Sequence, residues 1–182
     1  GLSPRAFGKA HIHELQQRLL KNDCYIPGIQ NCDEADHARK AAVTASSEKP
    51  GYEAVKVISG IARTEEGGDT NLWCSDGLRA GGEWLQLSWD APVELHQVRL
   101  TLDPDLSEER CISVSKAFLE KEPVGVPKSL LRDYTARAFR AGEQVWEQKV
   151  AGNYQRLNVL NLDNPVLADR LEILAQATNG CP

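Results

Sequence analysis

From Ala42 to Thr178 apolar and polar residues alternate in short runs separated by turn formers. The runs read "AVTASS", "AVKVISG", "EWLQLSWD", "ELHQVRLTLD", "DYTARAFRAGEQVWEQKVAGN", "QRLNVLNL" and "DRLEILAQAT". In the third, Leu85 and Leu87 fall on one face, with Trp84, Gln86 and Ser88 on the other. In the fourth, Val98, Leu100 and Leu102 share a face opposite Gln97, Arg99 and Thr101. A period of two is the mark of a half-buried strand. "Ala-Gly-Glu" between 134–140 and 144–150 predicts a hairpin. About seven strands without long helices between them predict an antiparallel sandwich or barrel. Residues 103–132 carry Pro104, Pro123 and Pro127 and break the rhythm, as a long crossover loop does.

The N-terminal part follows a different period. In "HIHELQQRLLK", residues 11–21, Ile12, Leu15, Leu19 and Leu20 form the stripe of a short amphipathic helix, which "NDCYIPG" then ends. Such a helix is marginal alone and needs a surface to dock on. The reading is therefore a connecting segment with a short helix over 1–41 and a β-sandwich over 42–182.

A chain of 182 residues buries roughly 70% of its unfolded surface on folding, so neither disulfide nor metal is required for stability. The net charge of -5 gives no general attraction for phosphate backbones or anionic membranes. No apolar run reaches a membrane-spanning length, so neither nucleic acid nor membrane is an expected partner and a soluble chain is expected. A chain that begins with Gly1 and contains no Met is expected to be a segment of a longer protein. The five cysteines, Cys24, Cys32, Cys74, Cys111 and Cys181, are odd in number and form no C-x-x-C pair. Reduced thiols are the default, which slightly favours the cytoplasm while leaving the compartment open, and Cys24 with Cys32 is the one close pair.

Motifs for common enzyme chemistry are missing: there is no Walker loop, no G-x-S-x-G, no H-E-x-x-H and no strand-linked G-x-G-x-x-G. The expectation is that this chain is not an enzyme and has no catalytic residues. His11 and His13, two apart on a helix, face nearly opposite ways, which argues for a solvated helix start over a metal pair. Cys74 could couple to His37 or His96, but an inert buried thiol is the commoner fate. Glu65, Glu66, Asp69 and Asp76 could serve a hard cation; a solvated acidic loop is preferred, and no metal is expected.

The order of certain pieces carries a resemblance. "AVKVISG" leads to "DTNLWCSD" and then to "EWLQLSWDAPVELHQVRLTLD", with Ser59-Gly60, Thr70, Trp73, 84–87 and Pro92-Val93 at the matching positions. This resembles the opening of a galactose-binding-like, or discoidin-like, jelly roll. With "HELQQRLLKNDCYIPG" and "ARKAAVTASSE" before it and "AGNYQRLNVLNL" and "ATNG" after it, residues 11 to 180 are similar to the C-terminal region of bacterial FAD-dependent oxidoreductases. The resemblance implies an all-β antiparallel jelly-roll β-sandwich of about nine strands, with a short N-terminal helix. The flavin-binding catalytic domain lies elsewhere in such proteins, so FAD is expected there and no cofactor here. Relatives with a structural calcium use the aspartate of an Asp-Gly pair, where this chain has Ser59, and they close with a further strand beyond "ATNG".

The function expected is a carbohydrate-binding-like module, its partners a saccharide and its own catalytic domain. The alternative is a structural or interaction domain that packs on the catalytic domain or mediates oligomerisation. Saccharides are held by aromatic faces and planar polar side chains, and the predicted loops supply Arg63, Asp69, Arg79, Asn153 and Tyr154 as candidates. Trp73 is expected to anchor its loop in the core, with Thr70 fixing the turn.

Overall fold

The computed structural model describes residues 31, 33–62, 71–105, 115–120 and 125–181. Strands β1 (Ala42–Ala45), β2 (Glu83–Thr101), β3 (Leu131–Arg140), β4 (Glu143–Val150) and β5 (Leu157–Thr178) pair antiparallel in the order β1-β2-β5-β3-β4. Alternation decides which side chains turn inward. Leu85 and Leu87 of β2, Ala136 and Ala138 of β3, and Leu171 and Ile173 of β5 are buried in one cluster.

β2 and β5 are each long enough to serve both layers. Their register with each other shifts between Ser88 and Val93 and again between Leu95 and Gln97. The first shift takes up extra residues in β2 around Pro92, which has no N–H to give a ladder; the second takes them up in β5 around Pro165. Beyond the bulges residues 97–101 pair with 157–161, a ribbon of two strands among the described residues, and its inward Val98 and Leu160 join the cluster that the five-stranded half fills from the other side. Tyr134, fully buried, ties the layers: its hydroxyl donates to Asn158 Oδ1 at 3.0 Å, and burial pushes its pKa up to about 12. The result is an antiparallel β-sandwich, with little helix among the described residues.

Several expectations are corrected. "AVKVISG" is not a strand: Ala54–Ile58 forms a 3-10 turn. Its inward residues Ala54, Val57 and Ile58 follow a helical spacing, whereas Val55 is exposed. The Ala54 N–H is met by Glu48 Oε1 at 2.9 Å, a local partner in place of a strand neighbour. Gly60, at φ +79, leaves this turn where a Cβ would stand 3.0 Å from the Asn31 carbonyl oxygen, and both the conformation and the space favour glycine. The strand count among the described residues is five, because the bulges fuse "EWLQLSWD" with "ELHQVRLTLD" and "QRLNVLNL" with "DRLEILAQAT".

The hairpin is present, closed by Ala141 and Gly142, both at positive φ. Within the expected crossover loop the described residues include a helical turn, Lys116–Leu119. The expected helix over 11–21 and the Cys24–Cys32 pair lie outside the described residues. The first helical piece described is a 3-10 turn, His37–Lys40, capped by Asp36, and Ala38 and Ala41 pack on the core just ahead of β1. Among the described residues no helix is long and apolar enough to cross a membrane.

Candidate functional site

One end of the sandwich gathers the exit of β1, the entrances of β2 and β3, the exit of β4 and the last residues of β5. Register fixes this: Ala45 lies opposite Leu85, Glu83 opposite Ala175, Leu131 opposite Thr178, and Tyr134 opposite Val150. Glu83 organises the first part of this end. It shares the inward face of β2 with Leu85 and Leu87 and is fully buried. A carboxylate there needs partners. Its Oε2 accepts hydrogen bonds from the hydroxyls of Ser46 and of Ser47, the latter at 2.8 Å. Arg79 Nε lies 3.3 Å from Oε1, an ion-pair contact whose angle falls short of a hydrogen bond. The Ser46 hydroxyl, then Ser47 and Arg79, hold the Glu83 carboxyl below the usual carboxylate range against the opposing effect of burial.

The same serines seat the loop that follows. Ser46 Oγ accepts the Trp84 N–H at 2.9 Å, Ser47 Oγ accepts the Asp76 N–H at 3.1 Å, and the Ser47 carbonyl accepts the Trp73 indole N–H at 2.9 Å. Trp73 is half-buried and packs on the core, as an anchor does. Backbone bonds from Cys74 N to Tyr52 O, 3.2 Å, and from Lys49 N to Cys74 O, 2.8 Å, stitch 71–77 to the turn over 49–52. Gly82, at φ +85, closes the Arg79–Gly82 turn where a Cβ would stand 2.6 Å from the Ala175 carbonyl.

The second part is the connection from β4 to β5. Asn153 is buried, and its amide donates to the Leu131 carbonyl at 2.8 Å and to the Gln155 carbonyl at 3.1 Å, while its Oδ1 accepts the Gln155 N–H at 3.0 Å. Asn179 reaches across to the carbonyls of Leu130 and Asn153. These two asparagines knit the loop to the ends of β3 and β5, and next to them Tyr154 stands 70% exposed.

The five candidate residues thus separate. Arg79 and Tyr154 are exposed at this end. Asn153 belongs to the same end but faces inward, its side chain occupied by backbone groups, so it shapes the loop and is not presented to solvent. Arg63 and Asp69, like Thr70, lie outside the described residues. Sequence reasoning missed Glu83, although alternation had placed it on the apolar face of β2, where an acid demands an explanation. It also missed Ser46 and Ser47, which as short polar residues at a strand end look like any turn.

No hydrolytic or redox couple forms among the described groups. Burial pushes the Cys74 thiol up, and Cys74 Sγ contacts the Ser75 carbonyl at 3.4 Å. His96 instead faces Glu94 at 3.0 Å, and the His37 backbone carbonyl accepts the Trp89 indole N–H at 2.8 Å. Ser59 folds back on its own turn, its Oγ accepting the Ile61 N–H at 3.2 Å. Among the described residues no three metal-ligating side chains converge. Among the described residues this end presents an aromatic face, Tyr154, and a guanidinium, Arg79, on a hydrogen-bonded frame.

Comparison with solved structures places the fold. The chain is similar to a family 32 carbohydrate-binding module of C. perfringens NanJ, determined with galactose, at 17% identity and a TM-score of 0.53 over 79% of this chain and 88% of that one. It is similar to a Streptococcus pneumoniae fucose binding module, SpX-3, at 10% identity and a TM-score of 0.56, covering 78% and 87%. The lectin domain of lectinolysin, complexed with the Lewis b antigen, matches at 12% identity and a TM-score of 0.54, covering 84% and 91%. At these identities the likeness establishes the galactose-binding-like β-sandwich. The link to an FAD-dependent oxidoreductase rests on the sequence resemblance alone. No curated protein matches the sequence. Residues 36–129, more than half of the chain, match a family profile described as Domain of unknown function (DUF7402), and the chain belongs to that family.

Proposed function

We propose that the chain is a non-catalytic carbohydrate-binding module, carried by a longer protein whose expected catalytic part is an FAD-dependent oxidoreductase. The supporting observation is the fold it shares with modules described as holding galactose, fucose and the Lewis b antigen, together with a loop end that presents Tyr154 and Arg79 on a hydrogen-bonded frame. A tyrosine ring stacks on the C–H face of a pyranose while a guanidinium forks to adjacent hydroxyls. In this reading the chain binds no flavin and needs no metal at the Ser59 turn, so purified protein is colourless and chelator leaves binding unchanged. The alternative, an interaction domain that packs on the catalytic domain or mediates oligomerisation, draws on the exposed Leu157 and Val159 instead of the loop end.

Titration calorimetry with galactose, fucose and chitotriose tests the proposal. Binding to at least one is expected, weakened about tenfold or more by Tyr154→Ala and by Arg79→Lys, which keeps the charge but loses the planar fork. Saturable binding that neither change weakens would move the site away from this end, and no binding to any glycan on an array would remove the sugar reading.

A further inference from the structure

The outer face of the ribbon carries two exposed aliphatic side chains side by side, Leu157 and Val159. Three cross-strand pairs form it: Thr101 with Leu157, Arg99 with Val159, and Gln97 with Asn161. Polar contacts serve one end, where the Gln97 amide donates to Asn161 Oδ1 at 2.6 Å and Arg99 Nε donates to Gln97 Oε1 at 2.5 Å. Toward the other end the β5 side is apolar: Leu157 is 55% exposed and Val159 40%, opposite Thr101 and Arg99, with exposed Tyr154 three residues before Leu157. Two large aliphatic side chains on consecutive outward positions of one strand are what a covered face carries.

The described chain begins near one end of this ribbon. The Asn31 N–H donates to the Gly60 carbonyl at 2.6 Å, and two residues on the Ala62 carbonyl accepts from the guanidinium of Arg156, the neighbour of Leu157. The residues before Asn31 include the stripe Ile12, Leu15, Leu19 and Leu20. A helix over 11–21 would be about 16 Å long, close to the roughly 17 Å that five residues of strand span. The nine residues between Lys21 and Asn31 reach about 30 Å when extended, ample to return along the ribbon. We propose that the outer face of the ribbon is the seat of the chain's own N-terminal segment, the stripe of 11–21 covering Leu157 and Val159. Both the stripe and the face need an apolar partner, and the attachment point puts them within reach of each other.

A benzophenone-bearing phenylalanine in place of Val159, in the full chain, tests this by photo-cross-linking and peptide mass spectrometry on an equal mixture of 14N- and 15N-labelled protein. The expected product is an intrachain link from position 159 to the tryptic peptide 10–18 or 19–21. Links of mixed isotope would show a second copy on the face, links to another part of the chain would show a different cover, and no link would show a bare face; each overturns the proposal. A second measurement uses Leu157→Asp, which is expected to raise trypsin cleavage at Arg18 and Lys21 about tenfold while cleavage within the sandwich stays unchanged. Equal cleavage rates in the two proteins would overturn it as well. Sugar binding enters neither readout, so the two proposals fail separately.

Discussion

The two halves of the β2–β5 pair present the same kind of inner face and opposite outer faces. In the five-stranded half, Arg137 lies between Glu147 on β4, at 3.2 Å, and Glu172 on β5, at 3.5 Å; Thr135 bonds Gln176 at 2.9 Å; and the Arg170 guanidinium stacks 4.1 Å from the Phe139 ring. In the ribbon two of the three outward positions of β5 are the exposed Leu157 and Val159, and the third, Asn161, bonds Gln97 across the pair. A central strand has neighbours on both sides, so long polar side chains can be held by cross-strand partners. Among the described residues the ribbon offers each strand one such neighbour. Its outer face leaves Leu157 and Val159 exposed, which is why the proposed seat of the N-terminal segment falls on this half.

The comparison breaks most sharply in the core. Ile173→Ala in the five-stranded half and Leu160→Ala in the ribbon are each expected to cost about 2–5 kcal/mol in urea unfolding, because both side chains are buried in one cluster. A cost below about 1 kcal/mol for Leu160→Ala alone would mean that the ribbon does not share the core.

A smaller effect is expected where the loop end meets the five-stranded half. Glu83→Gln keeps the shape but removes the charge that Ser46, Ser47 and Arg79 complement, a loss of about 1–2 kcal/mol at neutral pH. The pH dependence has a defined sign. Because the folded pKa lies below the unfolded value, Glu83 stabilises fully above the unfolded carboxylate pKa, and that contribution is lost as pH falls through the folded one. Acid unfolding followed by circular dichroism should therefore be less steep in the variant. Equal slopes in the two proteins would mean that Glu83 contributes nothing through its charge.

The smallest effect should come from the outer face. Arg137→Gln removes two ion pairs around a side chain that is 30% exposed, and the expected cost is no more than about 1 kcal/mol, shrinking in high salt. A larger, salt-independent loss would show that this face depends on packing by the arginine stem and not on charge.

The strands that repeat a strict alternation, β2 through Leu85 and Leu87 and β5 through Leu171 and Ile173, were legible because a period of two on a half-buried sheet leaves no other arrangement of the apolar residues. The hairpin was legible from Gly142 between two alternating runs, since glycine takes positive φ freely; Ala141, at φ 50, takes it against its own preference. "AVKVISG" misled because four apolar residues in five fit a strand and a helical turn equally, and the Ala54 N–H is met by the Glu48 side chain and not by a strand neighbour. At the candidate site, exposure at Arg79 and Tyr154 agreed with their loop positions, whereas Asn153 and Glu83 were decided by contact. An asparagine in a loop sequence looks available until the Leu131 and Gln155 carbonyls are found against its amide.

What the sequence determined by itself is local: where strands run, which side of each turns inward, and the absence of the motifs that common enzymes need. Tertiary structure decided that β2 and β5 each run through a bulge into a second layer, because Pro92 and Pro165 could equally have ended the strands. It also decided that an acid on an apolar face is satisfied by two serines 36 and 37 residues earlier. Periodicity records how each residue faces its own strand. Which residue meets which across the sandwich is set by register and by long-range packing, and no local pattern carries that information.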